Sequence, residues 1–133
     1  NEPLAINQYL LSTVKDEPDW DRTRWYYTPT KKHQDLRQIN SLPDVKLVSD
    51  LKYTTLEDKT ELIAEVENPS EHLALTVELM ILDSESGHFI APVYLDDNYF
   101  SLLPGEKRTI KGFCYNDDLK GSPKLKLSGL NIE

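Results

Sequence analysis

Three sets of residues in this chain have types and spacing that could do chemistry: its carboxylates, its histidines and a cluster of aromatic rings. Carboxylate-pair catalysis needs one member kept protonated at neutral pH while the other is ionised, which takes burial or a close like charge. The acids here are mostly isolated or fall in turn-like pairs, Asp96-Asp97 and Asp117-Asp118, where water keeps both ionised. No catalytic residue is therefore expected. A Gly-x-Ser-x-Gly sequence is absent, and His33, His72 and His88 do not stand at zinc-ligand spacings, so all three are expected on the surface. Asp83, Asp96, Asp97, Asp117 and Asp118 lie near expected strand ends, where a hard cation could gather them, but the calcium-loop pattern of alternating acids around a glycine is missing. Neither a metal nor a cofactor is expected.

The aromatic cluster Trp20, Trp25, Tyr26 and Tyr27 has two readings. Flat rings stack on the apolar faces of sugars, with Asp19, Asp21 and Asn40 near enough in sequence to bind hydroxyls. Alternatively the rings fasten this segment to neighbouring domains, each burying about 150 to 250 Å². Bracing is the favoured reading. A second aromatic motif, Asn98-Tyr99-Phe100-Ser-Leu-Leu-Pro104-Gly105-Glu106, has a structural account: Tyr99 is expected to bury its ring at a sandwich corner and tie its hydroxyl to backbone, while Pro104-Gly105 sets a tight turn.

The elements that must carry these residues divide at 44/45. Residues 1–44 are polar, aromatic and irregular; they hold both tryptophans and four of the eight prolines and show no sustained period. An apolar stretch at 6–14 and a helical turn or two at 31–40 are the only ordered pieces expected there. From Val45 onward the period is 2, which places alternate side chains on opposite faces of a strand. The clearest case is Leu73, Leu75, Val77, Leu79 and Ile81, expected to be the central core strand. Strands are predicted at 45–54, 59–68, 73–82, 88–95, 99–103, 107–115 and 124–132. In the last, Leu125 and Leu127 are odd while Leu130 and Ile132 are even, which predicts a bulge at Ser128-Gly129. About seven strands at this spacing, with almost nowhere for a helix, predict an all-β, immunoglobulin-like antiparallel sandwich behind an irregular N-terminal arm.

Composition narrows the partners. A chain of 133 residues suits one ordinary domain. Its formal net charge of -8 argues against nucleic acid. No apolar run approaches the roughly 20 residues of a membrane-spanning helix, so no membrane partner is expected. The single cysteine, Cys114, lies in a strand-like stretch, where a buried, unreactive thiol is expected. The chain starts at Asn1 rather than a methionine, so a processed or excised segment is expected.

Two patterns go beyond fold class: Asp19-Trp-Asp-Arg-Thr-Arg-Trp-Tyr-Tyr-Thr-Pro-Thr30 followed by Ile39-Asn-Ser-Leu-Pro43, and Pro92-Val-Tyr-Leu-Asp-Asp-Asn-Tyr-Phe-Ser-Leu-Leu-Pro-Gly-Glu106. Together they resemble the tail of glycoside hydrolase family 2 enzymes of the exo-β-glucosaminidase and β-mannosidase type. In such enzymes a sugar-binding-like domain, an immunoglobulin-like domain and a catalytic barrel are followed by two more immunoglobulin-like domains. Asn7-Gln-Tyr-Leu-Leu-Ser12 looks like the closing strand of the first of these two, and residues 19–43 like the connector into the last. Leu95 and Asp96 stand where relatives commonly carry an aromatic and a serine, which weakens a binding role for that loop.

The family's catalytic glutamates lie on the barrel, so the resemblance places none on this chain. It implies a non-catalytic accessory domain that braces a secreted or periplasmic glycosidase by packing against its other domains. The alternative is a carbohydrate-binding module that holds polysaccharide through the arm or through the sandwich aromatics Tyr94, Tyr99, Phe100 and Tyr115. A protein-interaction domain of the same fold has no distinguishing residue.

Overall fold

The computed structural model describes residues 9–133, which fall into two compact units divided between Leu42 and Pro43. In the first unit two short strands, β1 (Glu17–Pro18) and β2 (Thr30–Lys32), pair antiparallel. Between them lies a 3-10 turn at Trp20–Arg22, with a second at Arg37–Ser41 further on, where one or two helical turns were expected. Asn7 and Gln8 of the expected closing strand lie outside the described residues. Tyr9, Leu10, Leu11 and Ser12 form no strand here.

The second unit is a sandwich of seven strands: β3 (Val48–Thr55), β4 (Lys59–Glu67), β5 (Ala74–Asp83), β6 (Val93–Leu95), β7 (Phe100–Leu102), β8 (Lys107–Tyr115) and β9 (Pro123–Ser128). One antiparallel sheet runs β3-β4-β8-β6 and the facing sheet β7-β5-β9. The alternation read from the sequence sets the inward faces. On β4, Thr60, Leu62, Ala64 and Val66 are buried between exposed or half-buried neighbours. On β5, Leu75, Val77, Leu79 and Ile81 are buried, while Leu73, expected in the same row, lies before the strand and is exposed. Leu51 and Leu125 pack against both halves of the core, one built around Val66, Val77 and Ile110, the other around Leu62, Ile81 and Cys114. Cys114 is buried, and burial pushes its thiol pKa up, with Asp118 adding to the shift.

Three expectations need correction. The 88–95 strand shrinks to Val93–Leu95, because Phe89 makes only an isolated bridge to Leu82. The bulge is not at Ser128-Gly129, where β9 simply ends; it lies on the facing strand β5, where Ala74 pairs with Leu102 but Val77 with Phe100, leaving one extra residue. Thr76, with φ of 55°, absorbs that residue and points outward. Leu130, expected inward, is exposed, whereas Ile132 packs on the core.

Where the sheets stop, asparagine side chains take over from strand pairing. Asn131 is buried; its Nδ2 donates to the carbonyls of Pro43 (2.8 Å) and Leu73 (2.9 Å), and its Oδ1 accepts from Leu75 N (2.9 Å). It thereby ties the entry of the sandwich to the start of β5 and to the C-terminal segment, where Val45 bridges Ile132 in parallel. Asn68 is fully buried just past β4, at the same end of the sandwich, where its Nδ2 donates to the carbonyls of His72, Leu102 and Leu103. Asp83 closes a third corner: Oδ1 accepts from the backbone of Glu85 and Ser86, Oδ2 from that of Lys120 and Gly121.

Two stability predictions follow from these corners. Asn68→Ala and Asn131→Ala each orphan several buried backbone groups and are expected to cost about 2 to 4 kcal/mol, seen in urea as a lower midpoint at unchanged slope. The Asp83 carboxyl is held well below the usual carboxylate range, first by the Ser86 N–H and then by Gly121. Its stabilisation is therefore complete above the ordinary value of about pH 4 and is lost as pH falls toward the depressed folded value. Asp83→Asn should lower the thermal midpoint at pH 7 and flatten its acid decline in scanning calorimetry.

Candidate binding surfaces

On the arm, the segment between β1 and β2 is held by Asp19. Its N–H donates to Pro29 O (2.7 Å), its Oδ1 accepts from Arg22 N (3.3 Å), and its buried carboxylate faces Lys31 and Arg22, each at 3.9 Å. Arg24 and Tyr27 then exchange backbone hydrogen bonds of 2.8 and 3.1 Å, closing a tight turn with Trp25 and Tyr26 at its apex. A two-residue apex has no interior, so its side chains must project. Trp25 is 95% exposed and Tyr26 72%, against 69% for Trp20 and 59% for Tyr27.

The four rings predicted as a set do not make a flat platform. Trp25 and Tyr26 meet edge to face at 5.2 Å and 80°, and among the described residues no ring contact joins them to Trp20 or Tyr27. Asp19 is committed to Arg22 and Lys31, and Asp21 sits 3.8 Å from Lys31. Asn40 lines a separate hollow with His33, Asp35 and Arg37.

The motif at residues 98–106 closes the sandwich end. Asn98 Oδ1 accepts from Leu79 N (2.8 Å) and Tyr99 N (3.0 Å), and its Nδ2 donates to Leu79 O (3.2 Å). Phe100 is buried, with the Arg108 guanidinium 4.6 Å above its ring. Pro104 and Gly105 form the turn; Gly105 has φ of 73° and donates to Asn68 O, while the Glu106 carboxylate accepts from Leu103 N and pairs with Arg108 at 3.2 Å. Tyr99 departs from expectation. Its backbone is left-handed, with φ of 57°, so the ring swings out, 60% exposed, and its hydroxyl donates to Glu78 Oε1 at 2.8 Å rather than to backbone. That bond raises the phenol pKa.

The second aromatic surface was only half anticipated. On the outer face of the β3-β4-β8-β6 sheet, Tyr94 and Phe113 are cross-strand partners stacked at 4.8 Å and 17°, and Tyr115 stands perpendicular to both. Sequence reasoning named Tyr94 and Tyr115 and missed Phe113. The signal was present: with Cys114 and Ile110 inward, Lys111, Phe113 and Tyr115 must share the outer face. Edge strand β6 lies tight on β8 at Gly112, where a Cβ would run into Tyr94 O and Leu95 Cδ2. Beside the rings runs a groove of about 570 Å³ lined by Lys52, Glu61, Ile63, Asp96 and Lys111. Among the described residues no group of three or more His, Cys, Asp or Glu side chains comes together as a metal site, and no helix is long and apolar enough to cross a membrane.

Known proteins match both units. Residues 25–132 match the family model described as the exo-β-D-glucosaminidase Ig-fold domain. An exo-β-D-glucosaminidase of Arthroderma benhamiae is 31% identical over 130 residues, covering 98% of this chain and 14% of that protein. The enzyme of the same description from Amycolatopsis orientalis is 34% identical over 132 residues, 96% of this chain and 13% of that protein. The crystal structure of Amycolatopsis orientalis exo-chitosanase CsxA superposes with a TM-score of 0.77 at 33% identity, covering 93% of this chain and 15% of that one. The chain thus spans about one-seventh of the length of these relatives. With the family model matched over most of the chain and relatives above 30% identity along nearly all of it, the chain belongs to the Ig-fold domain family of the exo-β-D-glucosaminidases, enzymes of glycoside hydrolase family 2.

Proposed function

We propose that this chain is a non-catalytic accessory domain of an exo-acting β-glycosidase of the exo-β-glucosaminidase type, and that its arm, residues 1–44, braces the parent enzyme. The observation that carries this reading is the Trp25-Tyr26 apex. A tight turn built from paired backbone and an ion-paired Asp19 presents its two largest rings to water. Leaving a tryptophan 95% exposed forgoes several kcal/mol of burial, about 25 cal/mol per Å², which a neighbouring domain of the parent would recover. Catalysis within the chain is disfavoured on chemical grounds. A retaining glycosidase needs a carboxyl kept protonated by its surroundings, about 5 to 5.5 Å from an ionised one. Asp35, bonded by the Arg37 side chain, and Asp83, bonded by the Ser86 backbone, are both held below the usual range, the opposite direction.

We place the parent outside the cytoplasm, secreted or periplasmic, on the resemblance to this family. Among the specificities the resemblance implies, glucosaminidase is favoured over mannosidase because the similar enzymes carry that description. Assay of the parent on p-nitrophenyl β-glucosaminide and β-mannoside separates the two. The edge-to-face Trp25-Tyr26 pair and the committed Asp19 argue against the arm as a sugar platform.

Bracing makes a differential prediction. In the isolated 133-residue chain Trp25→Ala should change stability by less than about 0.5 kcal/mol, as expected for an exposed side chain. In the full-length parent the same substitution should cost about 3 kcal/mol at the docked arm, read as a lower thermal midpoint and faster proteolysis within residues 9–44. An unchanged parent would refute the bracing role.

A further inference from the structure

We infer that the groove on the outer face of the β3-β4-β8-β6 sheet is a binding site for pyranose units of an oligosaccharide, carried by the sandwich itself and independent of the bracing role. A pyranose has one face of C–H groups and a rim of hydroxyls, so it needs an apolar wall beside uncommitted polar groups. The groove has both. Its wall is the Tyr94-Phe113 stack, rings 4.8 Å apart, and its floor includes Ile63, an exposed isoleucine on the outer face of β4. Phe113 is held by Tyr94 on one side and lies 5.3 Å from Lys59 Nζ. These contacts fix the wall before any ligand arrives.

Polar groups at the rim are unequally committed. Asp96 Oδ1 accepts from Lys111 N at 2.9 Å, which fixes its carboxylate at the mouth with Oδ2 available. Lys111 Nζ has no ion pair and the Tyr94 hydroxyl no hydrogen bond among the described residues, so both can serve sugar hydroxyls. By contrast Glu61 is paired with Lys59 at 3.0 Å, and Lys52 lies between Asp50 and Glu65. With Glu61 spent on Lys59, the groove keeps one unpaired cation, Lys111, and one carboxylate oxygen, Asp96 Oδ2, and its four charged lining residues sum to zero. A sugar rim offers both donors and acceptors, so its hydroxyls can accept from Lys111 Nζ and donate to Asp96 Oδ2 at the same mouth.

The surroundings favour a sugar over a protein occupant. Centres of protein interfaces are depleted of charge, yet this face continues into Asp50, Lys52, Glu65, Lys107 and Glu67, ion-paired along the sheet at 3.6 to 3.8 Å. Burying that row would desolvate five charges, whereas an oligosaccharide lying over the groove leaves them wet.

Both tryptophans lie on the arm, so fluorescence would not report this site; the test is a nuclear magnetic resonance titration of the isotope-labelled 133-residue chain with N-acetylglucosamine and glucosamine hexasaccharides. The acetylated oligomer should shift the amides of Ile63, Lys111 and Phe113 saturably at millimolar concentration. The glucosamine oligomer should shift the same amides, because its ammonium groups meet Asp96 as well as Lys111. Lys111→Ala, at an exposed position, should weaken binding about tenfold at an unchanged thermal midpoint, and Tyr94→Ala should weaken it about as much while lowering the midpoint only by the loss of its stack on Phe113. No saturable shift up to about 20 mM, or shifts confined to residues 20–27, would overturn the proposal. So would protection of these groove amides from exchange in the sugar-free parent enzyme, which would show another domain covering the face.

Discussion

A two-sheet sandwich leaves backbone donors and acceptors stranded wherever a strand ends inside the structure, and burying them unpaired would cost more than the fold can spare. Four asparagines meet that demand. Asn68 and Asn131 hold one end of the core, where β4 stops and β5 begins, Asn98 copies a strand's pairing against Leu79, and Asn116 accepts from Thr60 Oγ1 while donating to Leu56 O and Glu57 O. A primary amide suits the task because it carries a donor and an acceptor on one short, uncharged group, the same pair a peptide unit offers. Among the described residues no buried side-chain nitrogen or oxygen lacks a partner.

This stapling lets the outer surfaces be specialised. With the ends of the sandwich tied by amides and by Asp83, the short edge strand β6 can be three residues long and still place Tyr94 squarely against Phe113. Gly112 contributes by letting β6 approach β8 closely. The arm works on another principle. It has little core of its own, and Asp19 with its backbone partners builds a scaffold just large enough to project Trp25 and Tyr26. One surface is an amphipathic groove on a rigid sheet; the other is a pair of exposed rings on a small hairpin. Their different chemistries are why they are assigned different partners.

The period-2 pattern made most of the sandwich legible, because a strand with one buried face has no freedom in which residues point inward. All seven sandwich strands were anticipated, and the β4 and β8 segments to within a residue or so. Bulge placement was not legible, since the parity switch near Ser128 and the extra residue at Thr76 both concern the same meeting of β5 with its neighbours, and parity on one strand does not say which partner carries the irregularity. Tyr99 was misread for a related reason: a left-handed backbone turns a side chain away from the face that alternation assigns to it.

The sequence by itself determined the class of fold, the inward-facing rows and, through the Trp-Tyr-Tyr-Thr-Pro and Asn-Tyr-Phe-Ser-Leu-Leu-Pro-Gly-Glu segments, the family. Those are properties of local alternation and contiguous motif, which need no knowledge of distant contacts. Only the tertiary structure decided that Trp25 projects at a hairpin apex while Phe100 is buried under Arg108, and that Tyr94, Phe113 and Tyr115 meet on one face. Tyr94 and Phe113 are 19 positions apart in the chain and become neighbours only through the pairing of β6 with β8. Strand register is set by the summed packing of the whole core, so no local pattern could have brought those rings together on the page.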